Sequence, residues 1–255
     1  SMLNSIHQLT GSTIRATDGD IGKVKAAYFD DQRWAIRYLV VDTGGWLTGR
    51  SVLISPYAVQ PPLKEDKCIP VRLSREQVKN SPDIDTHKPV ARQHEQAYLD
   101  YYGYPEYWEG GGLWAMGAVP VMSIDRHDVE VAAAARARVA GSDDVHLRSS
   151  DEVKGYDIQA TDDSIGHVKD FIFDEESWAI RYLVVDTRNW WPGGRKVLIG
   201  THWINRIDWA DKKVFANLSR EQVQASPEYK DDMIVHRDYE AQLHQAHERQ
   251  GYWDQ

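Results

Sequence analysis

The sequence has one cysteine, Cys68, among 255 residues. A single cysteine excludes an intrachain disulfide and also a metal site built from cysteine pairs. No histidine lies beside it in the sequence, so we expect an unreactive thiol rather than a nucleophile. This scarcity of cysteine fits a reducing compartment, and the cytoplasm is the expected location.

Basic residues are in the minority. The chain has 30 Lys and Arg against 39 Asp and Glu, which gives a formal net charge of -9. A general nucleic-acid-binding protein needs clustered basic side chains to neutralise phosphates. The composition therefore predicts that nucleic acid is not a partner, and it leaves a protein partner open.

Long apolar runs and common catalytic motifs are missing too. No run approaches the roughly 20 apolar residues of a membrane-spanning helix, so we expect no such segment. The chain has no Gly-x-Gly-x-x-Gly after a strand, no Walker loop and no Gly-x-Ser-x-Gly elbow. We therefore expect no enzyme activity and no cofactor.

What the sequence does contain is an internal repeat. Residues 34–43 and 178–187 are identical, and residues 73–78 return as 218–223. The spacing is 144 positions up to the end of the identical stretch and 145 beyond it, so the second copy carries one extra residue there. A repeat of this length predicts two domains of the same fold.

The identical stretch is predicted to be a strand buried on both faces, because it is rich in β-branched and aromatic residues and nearly continuously apolar over 38–41. Arg37 and Asp42 lie five residues apart and point to opposite faces of an extended strand. They are therefore not expected to meet at an active site. Five or six short strands within about 65 residues of each copy, separated by Gly, Asp and Pro turns, predict a small closed β-barrel.

Helices are predicted after each barrel. Ser74 opens a capping box with Gln77, and the same four-letter box returns in the second copy. A longer helix is predicted over 90–102, with a counterpart over 235–250. The expected fold class is mainly β with helical appendages, arranged as two small β-barrels in tandem.

The domain boundaries follow from the repeat. The first repeat with its helices is predicted to span 3–109 and the second 149–255. Residues 110–148 begin with glycine-rich sequence and continue into a charged, alanine-rich stretch with little apolar surface to bury. They are predicted to be a linker.

The loop after the identical stretch carries tryptophan where polar turn residues are usual. Trp46 stands in the first copy, and Trp190 and Trp191 in the second. Exposed tryptophan would form an interaction surface, since tryptophan is over-represented at binding hot spots. Folded back over the barrel, the same rings would only close its mouth. Both readings stay open from sequence.

A second aromatic cluster follows the first long helix. It includes Tyr104, Tyr107 and Trp108, and a shorter related segment lies at 251–253 in the second copy. Such rings could stack on sugars, bases or proline-rich peptides and add to an interaction surface. They could equally pack the helix against the barrel, which is the use that small domains make of most aromatic area.

Four residues on the last predicted helix share one face: His236, Glu240, His244 and His247. They are candidate ligands for zinc or nickel. The spacing does not match the His-Glu-x-x-His pattern of metalloproteases, and the first copy has no comparable set. A solvated helix face is the favoured interpretation, and no metal is assigned.

Three segments in each copy carry a resemblance to a known family. They are an Ile-Gly-x-Val turn, the Arg-Tyr-Leu-Val-Val-Asp strand and a Val-Leu-Ile strand, at 21–24, 37–42, 52–54, 165–168, 181–186 and 197–199. The pattern resembles the PRC-barrel domain of the photosynthetic reaction centre H subunit and of RimM-type ribosome maturation factors. The whole chain is similar to bacterial proteins with tandem PRC-barrels.

The resemblance implies a role in assembly or scaffolding through protein contacts, and it supplies no catalytic residues. We therefore expect a non-enzymatic protein-interaction or assembly module that binds a protein partner or itself, as a homo-oligomer. The alternative is a regulatory protein that binds a small molecule or a metal.

Overall fold

The structure is a computed structural model that describes residues 2–61, 63, 66–86, 90–108, 112–115, 117–121, 145–188, 190 and 192–254. The chain divides into two compact units. The first unit consists of Thr10–Ser149 with Glu176–Trp178, and the second of Ser1–Leu9, Ser150–Glu175 and Ala179–Gln255.

The described residues are mainly β. In chain order the strands are β1 (Leu3–Ser5), β2 (Thr13–Ala16), β3 (Gly19–Asp30), β4 (Ala35–Asp42), β5 (Ser51–Ile54), β6 (Cys68–Pro70), β7 (Val90–Ala91), β8 (Val145–Ser149), β9 (Asp157–Gln159), β10 (Ser164–Asp174), β11 (Ile180–Asp186), β12 (Lys196–Gly200), β13 (Ile204–Asp208) and β14 (Lys213–Ala216).

The helices are short apart from one in each repeat. They are α1 (Ile6–Leu9), α2 (Arg75–Lys79), α3 (Arg92–Tyr102), α4 (Ser150–Val153), α5 (Arg220–Gln224) and α6 (Arg237–Ala246), with 3-10 turns at Pro56–Ala58, Thr201–Trp203 and Tyr252–Asp254. Among the described residues, none of these helices has the length and apolar character needed to cross a bilayer.

Each unit contains one seven-stranded sheet. In the first unit the order is β5-β4-β3-β2-β6, with β8 paired to β3 and β7 to β8. In the second unit the order is β12-β11-β10-β9-β14-β13, with β1 paired to β10. The mainly β fold with helical appendages is thus confirmed.

The expected closure of each barrel is corrected. In the described residues no ladder of hydrogen bonds joins the two edge strands of either sheet. In the second unit those edges are β12 and β13, which are consecutive in the chain and connected by Thr201–Trp203. The 3-10 turn carries the backbone away from the strand direction, so the edges are joined by covalent chain instead of by pairing.

The first strand of each copy is exchanged. Strand β1 precedes copy one but pairs with β10 in the second unit, with Leu3 opposite Asp174. Strand β8 precedes copy two but pairs with β3 in the first unit, with Leu147 opposite Asp30. Strands β1 and β8 occupy equivalent positions in the repeat, and so do their partners β10 and β3. Each copy therefore supplies its first strand to the sheet of the other copy, in the same register.

The identical stretch forms the centre of each core. Residues 38–41 of β4 are at most 2% exposed, and the equivalent residues 182–185 of β11 have no exposed surface. The predicted burial of both faces is confirmed. Full burial of apolar side chains on both sides of a strand is the main source of its stability.

The two capping boxes are formed as predicted. Ser74 accepts from the backbone of Gln77 and Ser219 accepts from that of Gln222, and in each box the glutamine side chain returns to the cap. The long helices α3 and α6 start two residues later than predicted. In copy one the reason is that Val90–Ala91 pairs as strand β7 with β8.

The predicted linker 110–148 lies mostly outside the described residues. Its last four residues belong to strand β8, Val145–Ser149, which ends at the first residue of the predicted second repeat. The charged, alanine-rich stretch falls wholly outside the described ranges.

Candidate functional site

A buried polar cluster joins the identical strand to the long helix in the first unit. The Glu95 carboxylate, on α3, accepts from the Tyr38 hydroxyl at 3.2 Å and from the Tyr107 hydroxyl in a shorter bond. Glu95 has no exposed surface, and this burial raises the pKa of its carboxyl to about 7. Burial likewise raises the pKa of Tyr38 and Tyr107 well above 10, so both remain donors.

Arg37 lies beside this cluster and is also fully buried. Its guanidinium donates to the Leu113 carbonyl at 2.6 Å and to Asp30 Oδ2 at 3.3 Å. The guanidinium carbon stands 3.9 Å from the centre of the Tyr107 ring and 4.8 Å from that of Trp114. These contacts offset much of the cost of burying the Arg37 charge, although its Nε has no hydrogen-bond partner.

The second unit repeats the arrangement. The Tyr182 hydroxyl donates to Glu240 Oε2 at 2.9 Å and lies 2.8 Å from His244 Nε2. Arg181 stacks 4.1 Å from the ring centre of Tyr252. The helix therefore attaches to the strand through the same tyrosine–glutamate pair in both units.

Six positions of this cluster hold the same residue in both copies. The pairs are Arg37 and Arg181, Tyr38 and Tyr182, Arg92 and Arg237, Glu95 and Glu240, Tyr107 and Tyr252, and Trp108 and Trp253. The roles of Arg92, Glu95 and Arg237 were not predicted from the sequence. The signal was present, because the helices align at the same 145-residue spacing as the capping boxes.

The chemistry available to the cluster differs between the units. In the first unit Arg37 and Glu95 have no exposed surface, so a substrate cannot reach them, and their hydrogen bonds hold α3 on β4. In the second unit the side chain of Arg181 keeps 21% of its surface exposed. Among the described residues of the two clusters, Arg181 is therefore more accessible than Arg37.

The first predicted interaction residue, Trp46, is half-buried. Its indole Nε1 donates to the Ile21 carbonyl at 2.5 Å, which ties the ring back to β3. The Arg75 guanidinium lies 4.4 Å from the ring centre. The ring forms part of an open depression of about 460 Å³, lined by Asp18, Trp46, Arg75, Glu76, Lys79 and Asn80.

Trp190 lies in the corresponding loop of the second unit, where it contacts an arginine through its backbone and not through its ring. It is half-buried, and its carbonyl accepts from Arg220 Nη2 at 3.3 Å. Arg220 is the repeat equivalent of Arg75, so each unit places a tryptophan beside the first arginine of the capped helix. We call these pairs, Trp46 with Arg75 and Trp190 with Arg220, the Trp–Arg ledges. Trp191 lies outside the described residues.

The second aromatic cluster is mostly internal. Tyr104 is 5% and Tyr107 2% exposed, and Tyr104 stacks on Tyr57 at 5.3 Å between ring centres. This burial removes both from the predicted interaction surface, because their rings already fill the first unit. Trp108 is half-buried beneath Arg92, at 3.9 Å.

The four candidate metal ligands do not form a solvated face. His236 is exposed at the N-cap of α6, whereas Glu240, His244 and His247 are buried. His247 Nε2 lies 2.6 Å from the Ser226 hydroxyl, so it faces a different partner from Glu240 and His244. Within the part of the chain that the structure describes, no group of three or more His, Cys, Asp or Glu is placed to hold a metal.

Comparison with known proteins agrees with the sheets and the repeat. The family model of the PRC-barrel domain matches residues 3–77 and again residues 146–223. No curated protein matches the chain. The two matched segments cover more than half of the sequence and begin at the exchanged strands β1 and β8. The resemblance seen in the sequence is thereby confirmed, and the chain belongs to the PRC-barrel domain family.

Proposed function

We propose that this protein is a non-enzymatic interaction or assembly module that binds a protein partner or a second copy of itself through its Trp–Arg ledges. The observation that carries the proposal is that each unit sets a half-buried tryptophan beside the first arginine of its capped helix: Arg75 lies over the ring of Trp46, and Arg220 donates to the backbone carbonyl of Trp190. Tryptophan and arginine are the residues most enriched at binding hot spots.

The surroundings of the first ledge suit a protein surface. Exposed Asp18, Glu76 and Lys79 border the depression around Trp46, so an apolar centre is ringed by charges of both signs. Protein interfaces have this composition, with an aromatic centre and a polar rim. The open form of the depression fits a side chain from another protein better than an enclosed substrate.

The test compares three variants of the full chain. The first carries Trp46→Ser, Trp190→Ser and Trp191→Ser; the second carries Arg75→Glu and Arg220→Glu and keeps the tryptophans. The control is Ile234→Ser, which removes an apolar residue that is 56% exposed and does not line the depression around Trp46. Circular dichroism and thermal melting establish that each variant is folded.

Native mass spectrometry measures self-association, and tagged purification from the native host measures the retention of partners. The proposal expects both ledge variants to lose at least tenfold in association while Ile234→Ser behaves as wild type. If both folded ledge variants keep the assemblies and partners of the wild type, the ledges are not the interface. If wild type forms no assembly and retains no specific protein, the proposal is overturned.

A further inference from the structure

The second unit contains a cavity that the ledges do not explain. It has a volume of about 250 Å³ and lies between the identical strand, the turn Thr201–Trp203 and the end of helix α6. We call it the Arg181 cavity. Its lining includes Arg181, His202, Trp203, His244, Arg249 and Tyr252.

The lining is cationic and aromatic. Two guanidinium groups and two imidazoles face two aromatic rings, and none of the described residues that line the cavity is acidic. Arginine presents a planar fork of donors that matches carboxylate and phosphate groups. The volume, at the lower end of ligand pockets, admits a small organic molecule.

Arg181 is incompletely satisfied by the protein. Its Nε is buried and has no hydrogen-bond partner, and its nearest carboxylate, Asp174, is 4.0 Å from Nη2. Nε of the equivalent Arg37 is unpartnered too, but its two Nη atoms donate to the Leu113 carbonyl and to Asp30, and Trp114 closes it off. A buried donor without a partner costs free energy, which an incoming acceptor recovers.

The two histidines can respond to an anion. Burial lowers the pKa of His244 and of His202, and the positive charge of Arg181 lowers that of His202 further. Both imidazoles are thus held in the neutral form by cationic and desolvated surroundings. A negative charge in the cavity reverses the effect of the arginine and adds a favourable partner.

The first unit shows what the same place looks like when filled. Tyr57 stands where copy two has His202, and Tyr104 where copy two has Arg249. Their rings stack at 5.3 Å between centres, and Trp114 lies edge-on to Tyr57 at 5.2 Å. The two copies therefore share the scaffold, and where the first has two packing rings the second has an imidazole and a guanidinium.

We propose that the Arg181 cavity binds a small organic anion. Its carboxylate or phosphate group pairs with Arg181 and Arg249, and its planar or apolar body lies against Trp203 and Tyr252. This site is separate from the Trp–Arg ledges, so it stands or falls independently of the proposed assembly function.

The probes are benzoate, phenyl phosphate, inorganic phosphate and benzyl alcohol, titrated into the full chain by calorimetry and by the fluorescence of its tryptophans. We expect benzoate or phenyl phosphate to bind at least tenfold more tightly than both benzyl alcohol and inorganic phosphate. Equal binding of benzyl alcohol and benzoate overturns the role of the arginines. Equal binding of the two phosphates overturns the role of the rings.

Two variants locate the site. Arg249→Gln removes one cation and is expected to weaken anion binding at least tenfold. The double variant His202→Tyr, Arg249→Tyr copies the filled first unit and is expected to abolish binding while the protein stays folded. Arg206→Gln is the matched control, since it removes an arginine from the same unit that does not line the cavity and whose side chain is 59% exposed.

The proposal is supported if Arg206→Gln binds the anion as tightly as wild type and both cavity variants bind it more weakly. Unchanged binding in the folded double variant overturns it, because the anion then binds elsewhere. The absence of binding by every probe to the wild type also overturns it. If Arg206→Gln weakens binding as much as Arg249→Gln does, the anion is responding to the net charge of the protein. That result would contradict the assigned site.

Discussion

Glu95 holds a carboxyl group at a position with no solvent exposure, and its pKa is about 7 against an ordinary 4.5. Between those two values the folded protein keeps a proton that the unfolded chain has released. The free energy of unfolding contributed by Glu95 therefore falls as pH rises through this window and is level above it. The hydroxyls of Tyr38 and Tyr107 donate to the ionised Glu95 carboxylate, so they limit the loss of stability when this group ionises.

Glu95→Gln is expected to remove this pH dependence. From about pH 4 to pH 8, wild type should lose up to about 3 kcal/mol more stability than the variant. Urea unfolding followed by circular dichroism across this range measures the difference. Parallel pH profiles of wild type and variant would contradict the assignment, whatever the absolute stability of the variant.

Arg37 and Arg181 allow a matched comparison of one residue in two environments. Arg37→Met leaves Asp30 Oδ2 buried without its guanidinium and is expected to cost about 3 kcal/mol. Arg181→Met removes a longer, partly exposed contact and is expected to cost about 1 kcal/mol. Denaturant unfolding of both variants measures the two losses, and equal losses would show that the difference in burial has no energetic effect.

Arg37 and Arg181 also show what the local sequence does not predict. Residues 34–43 and 178–187 are identical, so their local sequence predicts equivalent strands, and both form, with β11 starting one position later than β4 in the repeat. The environments differ because the covering residues come from elsewhere: Tyr57, Tyr104 and Trp114 in one unit, and His202 and Arg249 in the other. Such contacts join residues far apart in the chain, and spacing along the sequence does not reveal them.

At the scale of the element, Gly22 and Gly166 show why each sheet needs its Ile-Gly turn. A Cβ at Gly22 would lie 2.0 Å from the Asp42 carbonyl oxygen, and one at Gly166 would lie 2.3 Å from that of Asp186. Both obstacles are backbone, which cannot rotate away. The glycines allow β3 to approach β4, and β10 to approach β11, at this point.

Gly22→Ala is therefore expected to destabilise the protein by about 3 kcal/mol or more, since the strands must separate to admit the methyl group. Gly45→Ala, in the loop after β4, is the matched control, because its Cβ would meet nothing within 4 Å. Thermal unfolding of the two variants provides the measurement. A loss no larger in Gly22→Ala than in Gly45→Ala would refute the close approach.

The elements themselves were largely predictable, for local reasons. Ser74 and Ser219 begin capped helices because a hydroxyl at the N-cap satisfies a free backbone donor within four residues. Strand β7 was missed and assigned to a helix, because Val90 and Ala91 are extended only through pairing with β8. That partner stands more than 50 residues away in the sequence.

At the scale of the whole molecule, the exchange of β1 and β8 could not be read from the sequence. Leu3 and Leu147 are equivalent, and so are Asp30 and Asp174, which they face. At these positions, pairing within each copy would place leucine opposite aspartate just as the exchanged pairing does. The leucine–aspartate pairs therefore do not choose between the two arrangements.

The exchange makes a directional prediction about local stability. A variant without residues 1–5 loses β1, which lies ahead of copy one, yet it should raise amide exchange in the segment 172–175 of the second unit, where the Glu175 amide donates to the Met2 carbonyl. Leu147→Pro removes a backbone donor from β8 and should instead raise exchange in the segment 28–30 of β3. Hydrogen exchange read by mass spectrometry resolves both segments in one experiment. Each variant serves as the control for the other, because pairing within copies would give the opposite assignment: the truncation would then act on β3 and the proline on β10.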